Sequence, residues 1–123
     1  MLNLDFSERV VIETDKMAWV SSPSSGVHRK PLAGTEREDG HATSIVRFDK
    51  NSSFKPHVHP LGEEIIVLEG VFSDEFGDYE AGSYLRNPPE SVHAPFSDEG
   101  CTLFVKLEWV LNGLIANLRC VKF

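Results

Sequence analysis

Turn signals punctuate this chain at spacings of about ten residues, and the runs between them are short, rich in β-branched and aromatic residues, and almost without helical periodicity. Ser21-Ser22-Pro23-Ser24-Ser25-Gly26, the acidic loop Gly34 to Gly40, Gly77-Asp78, Ala81-Gly82, Pro88-Pro89 and Asp98-Glu99-Gly100 are the breaks. Val10 to Ile12, Met17 to Val20, Val27 to Leu32, Ala42 to Phe48, Ser83 to Asn87, Val92 to Phe96 and Cys101 to Leu107 are the runs between them. The pattern predicts an all-β sandwich or barrel. Pro31 suits an edge strand, where a missing donor is tolerated, and Val27 to Leu32 is expected to form a hairpin with Ala42 to Phe48. Asn112-Gly113, between Val110-Leu111 and Leu114-Ile115, carries the residues of a tight two-residue hairpin.

With 123 residues the chain fits one domain, spanning 1–123 with strand extensions at both ends, and can bury a core without a disulfide framework. Cys101 and Cys120 are not spaced as a Cys-x-x-Cys pair. No apolar run approaches the roughly 20 residues of a membrane span, and the acidic start MLNLDFSERVVIETD does not read as a secretory signal. A cytoplasmic protein without a membrane partner is expected. The net charge of −7, with Lys and Arg scattered singly apart from Arg29-Lys30, argues against a nucleic-acid partner.

The chemistry concentrates in Phe54 to Gly70, FKPHVHPLGEEIIVLEG. Successive side chains of an extended segment alternate faces, so His57 and His59 project from one face about 7 Å apart, within reach of one metal ion. Pro60-Leu61-Gly62 breaks the strand, and Glu63 stands at the mouth of the next one as the natural third ligand. Glu64 alternates to the opposite face. His28 and His41 lie outside this stretch and read as exposed histidines.

The spacing around these residues extends the motif. Three residues separate His59 from Glu63 and six separate Glu63 from Gly70; downstream, Gly82, Pro88 and His93 follow at intervals of five and four residues. This resembles the two signature motifs of the cupin superfamily over Asn51 to Ser97, and NPPESVHAPFSDEGCTLFVKL looks more particularly like the cupin half of ChrR-type anti-sigma factors and their stand-alone relatives. Asn51, Glu90 and Ser97 depart from the family's Gly, Gly and Asn.

The resemblance implies a cupin-type antiparallel β-barrel, a double-stranded β-helix or jelly roll. It adds His93 as the fourth ligand to His57, His59 and Glu63. Such a set suits one divalent ion, zinc or iron first and nickel, manganese or copper besides, and leaves positions open for a small-molecule ligand. Cys101, Arg47, Arg86, Phe54 and Tyr84 are candidates for the pocket wall, the two arginines as groups that would orient an anion. The family suggests either a module that handles or senses a small molecule or oxidant, or a metal-dependent dioxygenase acting on a small ketone or diketone. Direct sigma-factor capture is not expected, because the first 40 residues show neither Cys-x-x-Cys nor a helical pattern. A homodimer that covers a sheet edge is expected, with the N-terminal strand or Leu114 to Phe123 doing the covering.

Overall fold

The computed structural model describes residues 2–35, 41–59 and 61–107, with 57–59 described by their backbone alone. The Asn112-Gly113 hairpin, Cys120 and the apolar end Leu114 to Phe123 lie outside the described residues.

Among the described residues eleven strands build the structure and no α-helix occurs. They are β1 (Val20–Ser21), β2 (Val27–Gly34), β3 (Ala42–Phe48), β4 (Ser52–Ser53), β5 (His57–His59), β6 (Glu63–Asp74), β7 (Gly77–Glu80), β8 (Tyr84–Asn87), β9 (Ser91–His93), β10 (Phe96–Ser97) and β11 (Cys101–Leu107). Every pairing is antiparallel. The main sheet runs β1-β2-β3-β11-β6-β10-β4, with β7 and β8 also on β6, while β5 and β9 form a separate ribbon. The long strand β6 carries the architecture: its first half pairs with β11 and β8, and its second half with β7 and β10. The expected β2–β3 hairpin is present, with exposed Pro31 at a register shift.

Alternation divides the two faces of this curled sheet. Glu63, Ile65 and Val67 are buried while Ile66 and Leu68 are exposed, the signature of a strand with one wet face. The inward side chains Val27, Phe48, Ile65, Val67, Phe72, Cys101 and Leu103 form the core, and Phe48 meets Phe72 edge-on with ring centroids 5.7 Å apart. Aromatic pairs in this arrangement add to simple burial because the positive ring edge meets the negative face.

The N-terminal segment departs from expectation. Val10 to Ile12 is not a strand, and Val10 and Val11 are exposed, since no neighbouring strand offers that run a ladder. A single 3-10 turn, Thr14–Lys16, leads instead to Trp19, which lies against the outer face of β2 and β3. Lys30 Nζ sits 4.5 Å and Arg47 Cζ 4.4 Å from the Trp19 ring centroid, and Lys30 also donates to the Thr14 carbonyl at 2.7 Å. These cation–π contacts fasten the segment to the sheet.

Two residues that replace glycines of the family motif sit in the left-handed region, Asn51 at φ 58° and Glu90 at φ 65°. Asn tolerates this conformation, whereas an L-residue without a short polar side chain is strained there by roughly 1–2 kcal/mol. Glu90 is exposed in the turn closed by the Ser91 amide on the Pro88 carbonyl at 3.1 Å. Glu90→Gly is therefore expected to stabilise the protein by about 0.5–1 kcal/mol, the strain relieved less the entropy lost by Gly, read as a higher urea midpoint at unchanged slope.

Candidate metal centre

Glu63 opens β6 with its side chain turned inward, and the pairing of β6 with β8 sets Asn87 directly opposite it. Asn87 Nδ2 donates to Glu63 Oε1 at 2.9 Å, and His93 Nε2 lies 2.9 Å from the same oxygen. Glu63 and His93 are each only 4% exposed. A carboxylate and an imidazole this deep in a fold require polar partners, so the cluster sits where its chemistry is protected from solvent. Burial opposes the charged form of His93. Its hydrogen bond to Glu63 and the negative charges of Glu63, Glu75 and Asp74 together outweigh burial and raise its pKa above the ordinary imidazole value.

The β5–β9 ribbon sets the backbone of β5 beside that of His93. His57 pairs with His93, Val58 with Val92, and His59 with Ser91. His93 is buried and Val92 exposed, so the two faces of β9 are distinct. Among the described residues no group of three or more His, Cys, Asp and Glu side chains converges, a set that excludes the side chains of His57 and His59.

Beside Glu63 lies a cavity of about 940 Å³. Its walls mix apolar side chains, Val46, Ile65, Leu103 and Val105 among them, with serines and the charged residues Arg29, Asp49, Lys50 and Lys55, and Glu63 is the buried carboxylate in its lining. A concave site that combines apolar walls with convergent polar groups is a common form of small-molecule site.

The family model of the ChrR cupin-like domain matches residues 7–111. The chain belongs to this family. No curated protein matches the sequence. Among solved structures, the cupin fold aligns with the Rhodobacter sphaeroides SigE complex with the anti-sigma ChrR, with a TM-score of 0.66 at 21% identity over 78% of this chain and 52% of that one. This cupin therefore spans about half the length of that relative. It also aligns with a putative acetylacetone dioxygenase from Methylibium petroleiphilum PM1, with a TM-score of 0.72 at 20% identity over 81% of this chain and 76% of that one. An acetylacetone dioxygenase from Acinetobacter johnsonii gives a TM-score of 0.68 at 21% identity over 82% and 73%. No helix among this cupin's described residues is long and apolar enough to cross a membrane.

Of the five residues expected in the pocket wall, Phe54 lines the cavity. The other four are placed elsewhere, for reasons that strand register makes plain. Cys101 pairs with Gly70 on β6 whereas Leu107 pairs with Glu63, so six residues of β11, roughly 20 Å, separate the thiol from the level of Glu63. Cys101 is a buried member of the core whose pKa burial raises, the opposite of a reactive sensor thiol. Arg47 is on the outer face over Trp19, and Arg86 is exposed opposite Glu64. Tyr84, paired with exposed Ile66, is 56% exposed. His28 lies 3.0 Å from Asp49 and His41 meets Phe6 edge-on at 5.8 Å, both away from the centre.

Asn87 was not singled out by sequence reasoning. Its signal was present in the alternation of β8, where Leu85 and Asn87 fall on the inner face between exposed Tyr84 and Arg86. A polar residue on an inward-facing position, one step before Pro88-Pro89, marks a group with a buried partner.

Proposed function

We propose that this cupin handles a small molecule at a single divalent metal ion held by His57, His59, Glu63 and His93. The observation that carries the reading is the buried Glu63–His93 pair, with atoms 2.9 Å apart, Glu63 bordering a cavity and His57 in register with His93. Residues opposite one another in an antiparallel pair share a face, and residues two apart on a strand share it too, so position 59 follows position 57. Two to three imidazoles with a carboxylate form a donor set that borderline divalent ions prefer.

A bound divalent ion supplies a Lewis acid for an oxygen ligand and, if it is iron, access to dioxygen chemistry. The residues prepare the place for it. Asn87 fixes the rotamer of Glu63 by donating to one carboxylate oxygen, the role that outer hydrogen-bond partners play at metal sites. Ligation takes the neutral form of His93, and the apolar side chains Ile65, Leu103 and Val105 of the cavity suit the hydrocarbon part of an organic ligand.

Between sensing and catalysis, the apolar side chains Ile65, Leu103 and Val105 in the cavity beside Glu63 favour a ligand with a hydrocarbon part, which also fits dioxygenase action on a small ketone or diketone. Elemental analysis of protein purified without added metal, followed by oxygen uptake on acetylacetone, separates the two. Iron with uptake makes the protein a dioxygenase; zinc without turnover leaves it a binding or sensing module. Protein that takes up neither metal at one ion per chain would sink both readings.

A further inference from the structure

Arg29 stands on the inner side of β2, directly opposite Val46 of β3, and both residues line the cavity that Glu63 borders. Its neighbours on β2, His28 and Lys30, pair with Arg47 and Ile45 on the outer side. These three outer cations are engaged: Lys30 and Arg47 lie against Trp19, and His28 and Arg47 approach Asp49 at 3.0 and 3.8 Å. Arg29 differs. It is half-buried, and among the described residues no carboxylate lies within 4.0 Å of its guanidinium.

In a chain with 19 acidic and 12 basic residues, carboxylates to neutralise a surface arginine are plentiful. A half-buried guanidinium on the cavity wall instead keeps its planar fork of donors for an anion that enters from outside, with Lys50 and Lys55 on the same wall adding to the positive charge and Asp49 turned to His28 and Arg47. We propose that Arg29 receives the carboxylate of a small organic acid whose other, oxygen-bearing end reaches the Glu63–His93 centre. This deepens the metal-centre reading and rests on it for the second half alone. The register sets the scale of the ligand. Glu63 pairs with Leu107, Leu107 with Ala42, and Val46 lies four residues further along β3, which places Arg29 about 13 Å from the level of Glu63 along the strands. An extended acid with several carbons between its two polar ends fits that span, and the walls between, Val46, Leu103, Val105 and Ile65, suit its methylene chain.

The test is calorimetric titration of zinc-loaded protein with 4-oxopentanoate, 5-oxohexanoate and 7-oxooctanoate, each against its methyl ester. Wild-type protein is expected to bind at least one acid about tenfold or more tightly than the ester, because only the acid forms the charge-assisted fork with Arg29. Arg29→Gln should bring acid and ester to equal affinity with ester binding and metal content unchanged, and Arg29→Lys should keep part of the preference. If no acid binds, if acid and ester bind alike to wild type, or if the preference survives Arg29→Gln, the proposal is overturned. Metal content measured on the same samples separates this result from the centre itself: wild-type protein that prefers acids through Arg29 but holds no metal would retire the metal-centre reading and leave the anion site standing.

Discussion

His93→Ala is expected to remove stoichiometric metal binding while leaving the barrel folded. His93 is the buried partner of Glu63, and an alanine there removes that imidazole from the carboxylate while leaving the Asn87 hydrogen bond in place. The core that holds the fold, Val27, Phe48, Ile65, Val67, Phe72, Cys101 and Leu103, does not include either residue. Asn87→Ala supplies the scale for comparison, since loss of an outer hydrogen-bond partner costs roughly 10–100-fold in metal affinity. Removing a ligand should cost more than that. Zinc titration against a chromophoric chelator, with far-ultraviolet circular dichroism on the same samples, reads both properties. Wild-type affinity in His93→Ala would show that the centre lies elsewhere.

The second large effect is structural. Gly70 has φ +73°, and a Cβ built on it would stand 2.1 Å from the Gly100 carbonyl oxygen and 2.9 Å from Cys101 Cα. Both obstacles are backbone of the adjoining strand and its turn, at the end of the β6–β11 ladder next to its register shift. Nothing flexible is available to move aside. Backbone strain of roughly 1–2 kcal/mol and overpacking of roughly 1–3 kcal/mol combine, so Gly70→Ala is expected to lose about 2–5 kcal/mol of the 5–15 kcal/mol that typically holds a domain together. Gly82→Ala is the internal control: its φ of +94° imposes the strain, but nothing lies within 4 Å of the added carbon. Urea unfolding should place Gly82→Ala near 1 kcal/mol and Gly70→Ala well beyond it. Equal losses at the two positions would mean that the close approach of β6 and the Gly100 turn is not what Gly70 is there to allow.

The candidate centre shows how far linear reading goes. Alternation on β6 sets Glu63 and Glu64 on opposite faces, but Ile65 and Val67 on one side and Ile66 and Leu68 on the other are all apolar, so the pairing of β6 with β8 and β11 decides which carboxylate turns inward. The arginines show where it stops. Three of them lie in strands of similar composition, yet Arg29 lines the cavity, Arg47 stacks on Trp19 and Arg86 is exposed. Which face of β2 or β3 is interior depends on how the sheet curls and on where the N-terminal segment lies against it, and neither is encoded in the local pattern. Cys101 illustrates the same limit along a strand rather than across it. Its inward orientation follows from alternation, but its distance from Glu63 is set by the register of β11 against β6.

The sequence by itself determined the class of fold, the family, the bounds of β3 and β11 and the setting of Glu63 and Glu64 on opposite faces, because side-chain periodicity and turn chemistry are short-range properties of the chain. Only the tertiary structure decided that Asn87 and His93 meet on one oxygen of Glu63, that the thiol of Cys101 belongs to the core, and that Arg29 is the arginine on the cavity wall. Those outcomes follow from pairing between strands far apart in sequence, where register and curl, rather than the identity of any one residue, set which groups come together.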